Sequence, residues 1–127
     1  MNTPSKTYRD LIVWQQAVDL ADTVMRLTDN FPVKRGFVLR DQMLRASISV
    51  PCNIAEGSGR GTKKDYTAFL RYAMGSLREL ETQVELAKRA KLLSAEDAGA
   101  LVNTCDSVGR LLTRLIQSLK PPAESGR

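Results

Sequence analysis

The chain has 127 residues, enough to bury one domain's core without staples and too few for several domains. Its 19 Lys and Arg stand against 14 Asp and Glu, a formal net charge of +5 that favours anionic partners without being extreme. With no histidine and only two cysteines, Cys52 and Cys105, it lacks Glu-x-x-His di-iron pairs, His-assisted nucleophiles, a disulfide framework and a thiolate metal site.

Four helical patterns follow in order. The first runs from about Tyr8 to Asp29, with Leu11, Trp14, Val18, Ala21 and Met25 at three-four spacing as its inward seam. Val13, Leu20, Val24 and Leu27 form a second apolar flank, so the apolar arc spans about 200° where a surface helix needs about 100°. NFP at 30–32 closes this helix. The second covers about Val38 to Gly57 with Leu39, Met43, Ala46, Val50 and Ile54, and GSGRG at 57–61 ends it. The third, about Lys63 to Lys91, carries Leu70, Ala73, Leu77, Leu80, Val84 and Ala87. The fourth, about Ala95 to Leu119, carries Leu101, Cys105, Val108, Leu112, Leu115 and Leu119, with Asn103, Asp106, Ser107, Arg110, Arg114 and Gln117 on its other half.

Thr7-x-x-Asp10, Thr62-x-x-Asp65 and Ser94-x-x-Asp97 resemble capping boxes, with Asp in place of Glu or Gln. No β alternation competes. Short connections make neighbouring helices antiparallel, so the expected fold is an all-α, up-down-up-down four-helix bundle over residues 1–120, with 121–127 as a loose tail. MNTPSKTYRD has no apolar signal core and no stretch is long and uncharged enough to span a bilayer, so a cytoplasmic location is expected.

SVPCNIAEGSGR, residues 49–60, breaks the simple pattern. Pro51 removes one helical donor and clashes with the carbonyl of Ser47, predicting a kink near 47–51 or a new helix starting at Pro51. The apolar spacing stays in phase from Val50 to Ile54, which favours the kink. Ser47 and Ser49 can offer hydroxyls to the disturbed backbone. On a helix, Gln42, Arg45, Ser49, Asn53, Glu56 and Arg60 fall within an arc of about 80° beside the seam. This stripe reads as a structural polar network, with Glu81 on the third helix as the expected partner of Arg45; the competing readings are a ligand surface and a solvated face.

Gly75 sits opposite the third helix's seam, where glycine costs up to about 1 kcal/mol against Ala, so close approach by something outside the bundle is one reason for it. Together with the wide arc of the first helix, it makes Val13, Leu20, Val24, Leu27 and Gly75 candidate contacts for self-association. A wide arc covered by the N-terminal segment, and a merely tolerated glycine, are the alternative. GSGRGTKK at 57–64 places Arg60, Lys63 and Lys64 at a helix N-terminus, but it fails the P-loop spacing and no strand precedes it; a glycine-rich connector is the simpler reading. Glu79, Glu81 and Glu85 do not converge, since Glu79 faces away from the other two and Arg78, Lys88 and Arg89 are ordinary helix-surface partners. No enzyme, cofactor or metal is expected.

The blocks YRDLIVWQQAVDL, FP, LRDQMLRASISVPCNIAEGSGR and FLRYAMGSLRELETQVELA resemble the intervening-sequence protein family, also described as four-helix bundle proteins, over about residues 8–92. Members include proteins encoded within insertions in bacterial 23S ribosomal RNA genes. The resemblance implies a bundle that assembles as a homopentameric ring and has no established enzymatic activity. It also implies kinship with the accessory variability protein of diversity-generating retroelements, a basic pentamer that binds a reverse transcriptase and nucleic acid. The family's recurring polar positions map here to Gln42, Arg45, Ser49, Asn53, Glu56, Gly57, Arg60, Gly75, Ser76, Glu79, Glu81 and Thr82. Related sequences often carry a glutamate where Arg35 stands.

The expectation is therefore a non-enzymatic, self-associating scaffold that holds RNA, DNA or a nucleic-acid enzyme through basic surfaces. Candidate contacts are Arg26, Lys34, Arg35 and Arg40 near the first connection, and Arg110 with Arg114 on the fourth helix. Such residues position phosphates without reading sequence. The rival expectation is a protein-interaction module with no affinity for nucleic acid. Neither involves a membrane or a small-molecule substrate.

Overall fold

A computed structural model describes residues 6–121, so the predicted tail lies outside the described residues apart from Pro121. A single 3₁₀ turn, Tyr8–Asp10, precedes four α-helices: α1 (Ile12–Thr28), α2 (Val33–Ser58), α3 (Lys63–Arg89) and α4 (Ala95–Ser118). No strand occurs among the described residues, and no helix among them is long and apolar enough to cross a membrane.

Two helix starts differ from the expectation. The first predicted helix is split, because Thr7 N donates to Asp10 Oδ2 at 3.0 Å and Arg9 N to Thr7 Oγ1 at 3.2 Å, closing a turn by itself. Leu11 then takes extended backbone at φ −74°, ψ 125°, and α1 begins after it. The second helix starts at Val33, well before Val38, since Pro32 occupies its N-cap with φ −58°, a value preset by the ring. Gly36 makes room for this entry; a Cβ there would lie 2.8 Å from Cβ of Phe31. The other two caps form as expected on one arm, with Thr62 Oγ1 accepting from Asp65 N at 3.1 Å and Ser94 Oγ from Asp97 N at 3.0 Å.

Each helix packs on its chain neighbour, and α1 closes the set against α4. All share one core, in which Met43, Val50, Ile54, Leu70, Leu77, Leu80, Val84, Leu101, Val108 and Leu112 are fully or almost fully buried. α2 and α3 run in opposite directions: Arg35 Nη2 reaches the carbonyl of Ala90 at 2.6 Å, and Ser49 meets Ser76 hydroxyl to hydroxyl at 2.8 Å. The pair crosses closely at Gly57, where a Cβ would stand 2.8 Å from Phe69 Cβ and 3.2 Å from the Tyr66 carbonyl. Pro51 lies buried inside α2, which continues through it, so no new helix starts there. Ser47 donates to the Leu44 carbonyl at 3.1 Å, and Ser49 is drawn to Ser76.

The buried face of α1 is rotated relative to the sequence reading: Ala21 of the predicted seam is buried and Leu11 and Trp14 pack against the core, but the second flank is buried too and two seam residues are not. Val13, Leu20 and Val24, taken as candidate oligomer contacts, are only 5%, 1% and 0% exposed and belong to the subunit's own core. Val18 and Met25, taken as core, are 36% and 45% exposed. Leu27 is half-buried against the core, so it too faces inward. The reason is that both flanks are apolar, so periodicity gives the width of the arc and not its orientation. Docking decides: Gln16 accepts a hydrogen bond from Ser107 Oγ of α4 at 2.7 Å. At about 100° per residue, Val18 and Met25 lie roughly opposite Gln16, turned away from α4 and towards α2.

Candidate functional site

The polar stripe on α2 condenses to a short interhelical link. Asn53 Nδ2 donates to both the carbonyl and the hydroxyl of Ser49 at 2.9 Å, and the Ser49 and Ser76 hydroxyls are hydrogen-bonded to each other across to α3. All three side chains are half-buried, where hydrogen bonds between helices hold register. Gln42 and Glu56 are exposed and stand outside this link. Arg60 leaves it as well, with its guanidinium 4.9 Å from the Phe69 ring centroid, pinning the α2–α3 connection to α3.

The expected Arg45–Glu81 pair does not form. Arg45 forms an ion pair with Asp41 on its own helix at 3.5 Å and lines a polar surface cleft with Asp41, Gln42 and Glu79. Glu81 instead pairs with Arg78 beside α4. Two residues along a helix turn a side chain through about 200°, so Glu79 and Glu81 serve opposite neighbours. Glu85 pairs with Arg89 at 2.8 Å and Lys88 at 3.3 Å, and the hydrogen bonds from Arg89 and then Lys88 hold its carboxyl below the usual range.

The basic candidates fall into two groups. Near the α1–α2 connection, Arg26 pairs with Asp22 at 3.5 Å and Arg40 with Asp29 at 3.6 Å. Arg35 is bound to the Ala90 carbonyl at the C-terminus of α3, a helix end that favours a cation, and this gives the arginine at position 35 a structural use. Lys34 is exposed and has neither an ion pair nor a side-chain hydrogen bond among the described residues.

The second group is different. Arg110 and Arg114 form no ion pair among the described residues, and they share a surface cleft of about 350 Å³ with Arg78, Asp106, Gly109 and Thr113. Arg78 crosses from α3 onto α4: a Cβ at Gly109 would lie 3.8 and 3.9 Å from its two terminal nitrogens. Thr113 also belongs to an adjoining cleft of about 330 Å³ lined by Arg71, Met74, Ile116, Gln117 and Lys120. The groove between α3 and α4 thus carries five cations and one carboxylate among its lining residues. Sequence reading found Arg110 and Arg114 but missed Arg71, Arg78 and Lys120. Gly109, a helical glycine beside Arg110, was the one local signal of the crossing.

Beneath the cleft, Cys105 is buried, and desolvation, with Glu81 and Asp106 nearby, pushes its thiol up to about 12. It is a packing residue in thiol form. Cys52 is exposed on α2. Gly75 is exposed with nothing within 4 Å of a Cβ built there, so nothing in the subunit requires glycine at that position.

These features define a helical bundle whose polar chemistry consists of a hydroxyl–amide link between helices and a basic groove. The chain matches the family model described as 23S rRNA-intervening sequence protein over residues 9–114, and it belongs to that family. It is similar to a crystal structure from Bacteroides thetaiotaomicron VPI-5482, described as a protein with unknown function from the S23 ribosomal protein family. The TM-score is 0.77 and the identity 25%, over 84% of this chain and 99% of that one. No curated protein is significantly similar to this chain.

Proposed function

We propose that the protein is a non-enzymatic scaffold of the cytoplasm that assembles from copies of itself, as a homopentamer, and holds nucleic acid or a nucleic-acid enzyme on its basic groove. Each subunit is an up-down-up-down bundle with α2 kinked at Pro51. The observation that carries the reading is the charge accounting. Arginines near the α1–α2 connection are matched by Asp22, Asp29 or a helix C-terminus, whereas Arg110 and Arg114 have no acidic partner among the described residues. Unmatched arginines beside one another repel, and a phosphate backbone relieves that repulsion while releasing its counterions. The groove offers no stacking platform for bases, since its lining has no aromatic side chain.

Self-association has its own support. Val18 and Met25 of α1, with Phe37 and Ile48 of α2, leave apolar side chains exposed on adjacent helices, and Gly75 permits close backbone approach. The test is light scattering together with mobility-shift titrations of RNA and DNA oligonucleotides at two salt concentrations. Retardation that rising salt abolishes supports the nucleic-acid reading. A stable oligomer that retards nothing at low salt leaves the pure protein-interaction module.

A further inference from the structure

We propose that Arg78, Arg110 and Arg114 form a seat for a phosphate group in the α3–α4 groove, continued by Arg71 and Lys120. The proposal rests on the basic-groove reading and narrows it from a charged surface to a defined ligand chemistry.

Three guanidinium groups line one cleft of about 350 Å³ with a single carboxylate, Asp106, among its walls. Arg78 has a partner in Glu81, which orients it, and its terminal nitrogens lie across Gly109. Gly109 therefore lets a side chain from α3 lie against the backbone of α4, directly beside Arg110. Arg114 follows one turn later on the same helix, so the α4 arginines flank the cleft that Arg78 enters from the other side. Guanidinium forks arranged around a small open cleft match the oxygens of a phosphate, which accepts several charge-assisted hydrogen bonds at once. A lone carboxylate would satisfy fewer of these donors.

The groove continues past Thr113 to Arg71 and Lys120. Asp106 to Lys120 spans about 21 Å along a helix rising 1.5 Å per residue. That length suits a chain of phosphates rather than one ion. The shared chemistry is the phosphate group, whose two sources are a nucleic-acid backbone and a free pyrophosphate-bearing molecule.

The test uses the full chain, inorganic pyrophosphate and a single-stranded oligonucleotide. Arginine Nε signals are followed by NMR, and binding of each ligand is titrated against salt. The variants are R110A/R114A and, as a charge-matched control on exposed residues paired elsewhere, K88A/R89A. Pyrophosphate is expected to shift the Arg78, Arg110 and Arg114 signals, with R110A/R114A weakening it about tenfold and the control less than twofold. For the oligonucleotide, R110A/R114A should reduce the salt slope by about 1.4, two contacts at roughly 0.7 each. Competition between the two ligands supports the seat and assigns it to the nucleic-acid backbone. Pyrophosphate binding that depends on the cleft, without oligonucleotide binding, supports the seat and removes the nucleic-acid reading. Oligonucleotide binding that R110A/R114A leaves unchanged overturns the seat and keeps that reading. Binding of neither ligand overturns both.

Discussion

Replacing Gly75 with Ala separates what the subunit needs from what an assembly needs. Gly75 lies in the interior of α3, and a Cβ there meets nothing within 4 Å. The methyl group therefore brings no clash inside the subunit, while the substitution removes a glycine's excess backbone entropy. Helix propensity puts the gain at about 1 kcal/mol, roughly a fivefold shift in the folding equilibrium. For a domain of this length that raises Tm by about 3–5 °C. Urea unfolding at low protein concentration measures the subunit, and light scattering at high concentration measures the assembly. If another copy's backbone approaches Gly75, Gly75→Ala stabilises the dilute subunit and weakens association. A destabilised dilute subunit would refute the open placement of Gly75. Unchanged association would remove Gly75 from the interface.

Gly57→Ala should act in the opposite direction, lowering stability by about 1–3 kcal/mol in the same urea assay, because the new methyl is forced against Phe69 Cβ and the Tyr66 carbonyl. Gln83 is buried with its Oε1 unpartnered, so Gln83→Met should raise the urea midpoint by the equivalent of about 1 kcal/mol. A double-mutant cycle on Arg45 and Glu81 should give a coupling within about 0.5 kcal/mol of zero, as expected for residues that share no contact. Thiol labelling of the native protein near neutral pH should modify Cys52 and spare Cys105, whose thiol is buried and held near 12; both should react in denaturant.

Where one face of a helix is apolar, the sequence suffices. All six seam residues of α3, from Leu70 to Ala87, are buried, and so are Met43, Ala46, Val50 and Ile54 of α2. On α4, Leu101, Cys105, Val108 and Leu112 are buried as the spacing predicts, and only near its end does Ile116 replace Leu115 as the buried residue. α1 fails this test because Leu20 and Val18 have equal claims by composition. Packing on α2 and α4 fixes the rotation, and the contact of Gln16 with Ser107, 91 residues away, marks it. The error with Arg45 has the same origin. Spacing within α3 places Glu79 and Glu81 on different sides, but which side meets α2 depends on packing between helices. Local chemistry is written along the chain; pairings across it are not.

That distinction bears on where function can reside. The link through Ser49, Asn53 and Ser76 joins α2 to α3 with hydroxyl and amide groups whose removal leaves half-buried donors or acceptors without these partners. Its geometry is suited to holding two helices in register, and its half-buried placement leaves little room for a ligand. The groove on the other side of α3 has the reverse character. Apart from Arg78, which pairs with Glu81, its arginines form no ion pair among the described residues, and three of them line one cleft. A fold gains no stability from such an arrangement, since surface charges of one sign oppose compaction. The proposed phosphate seat would relieve that like-charge repulsion at Arg110 and Arg114, which places it in this groove and not at the hydroxyl–amide link.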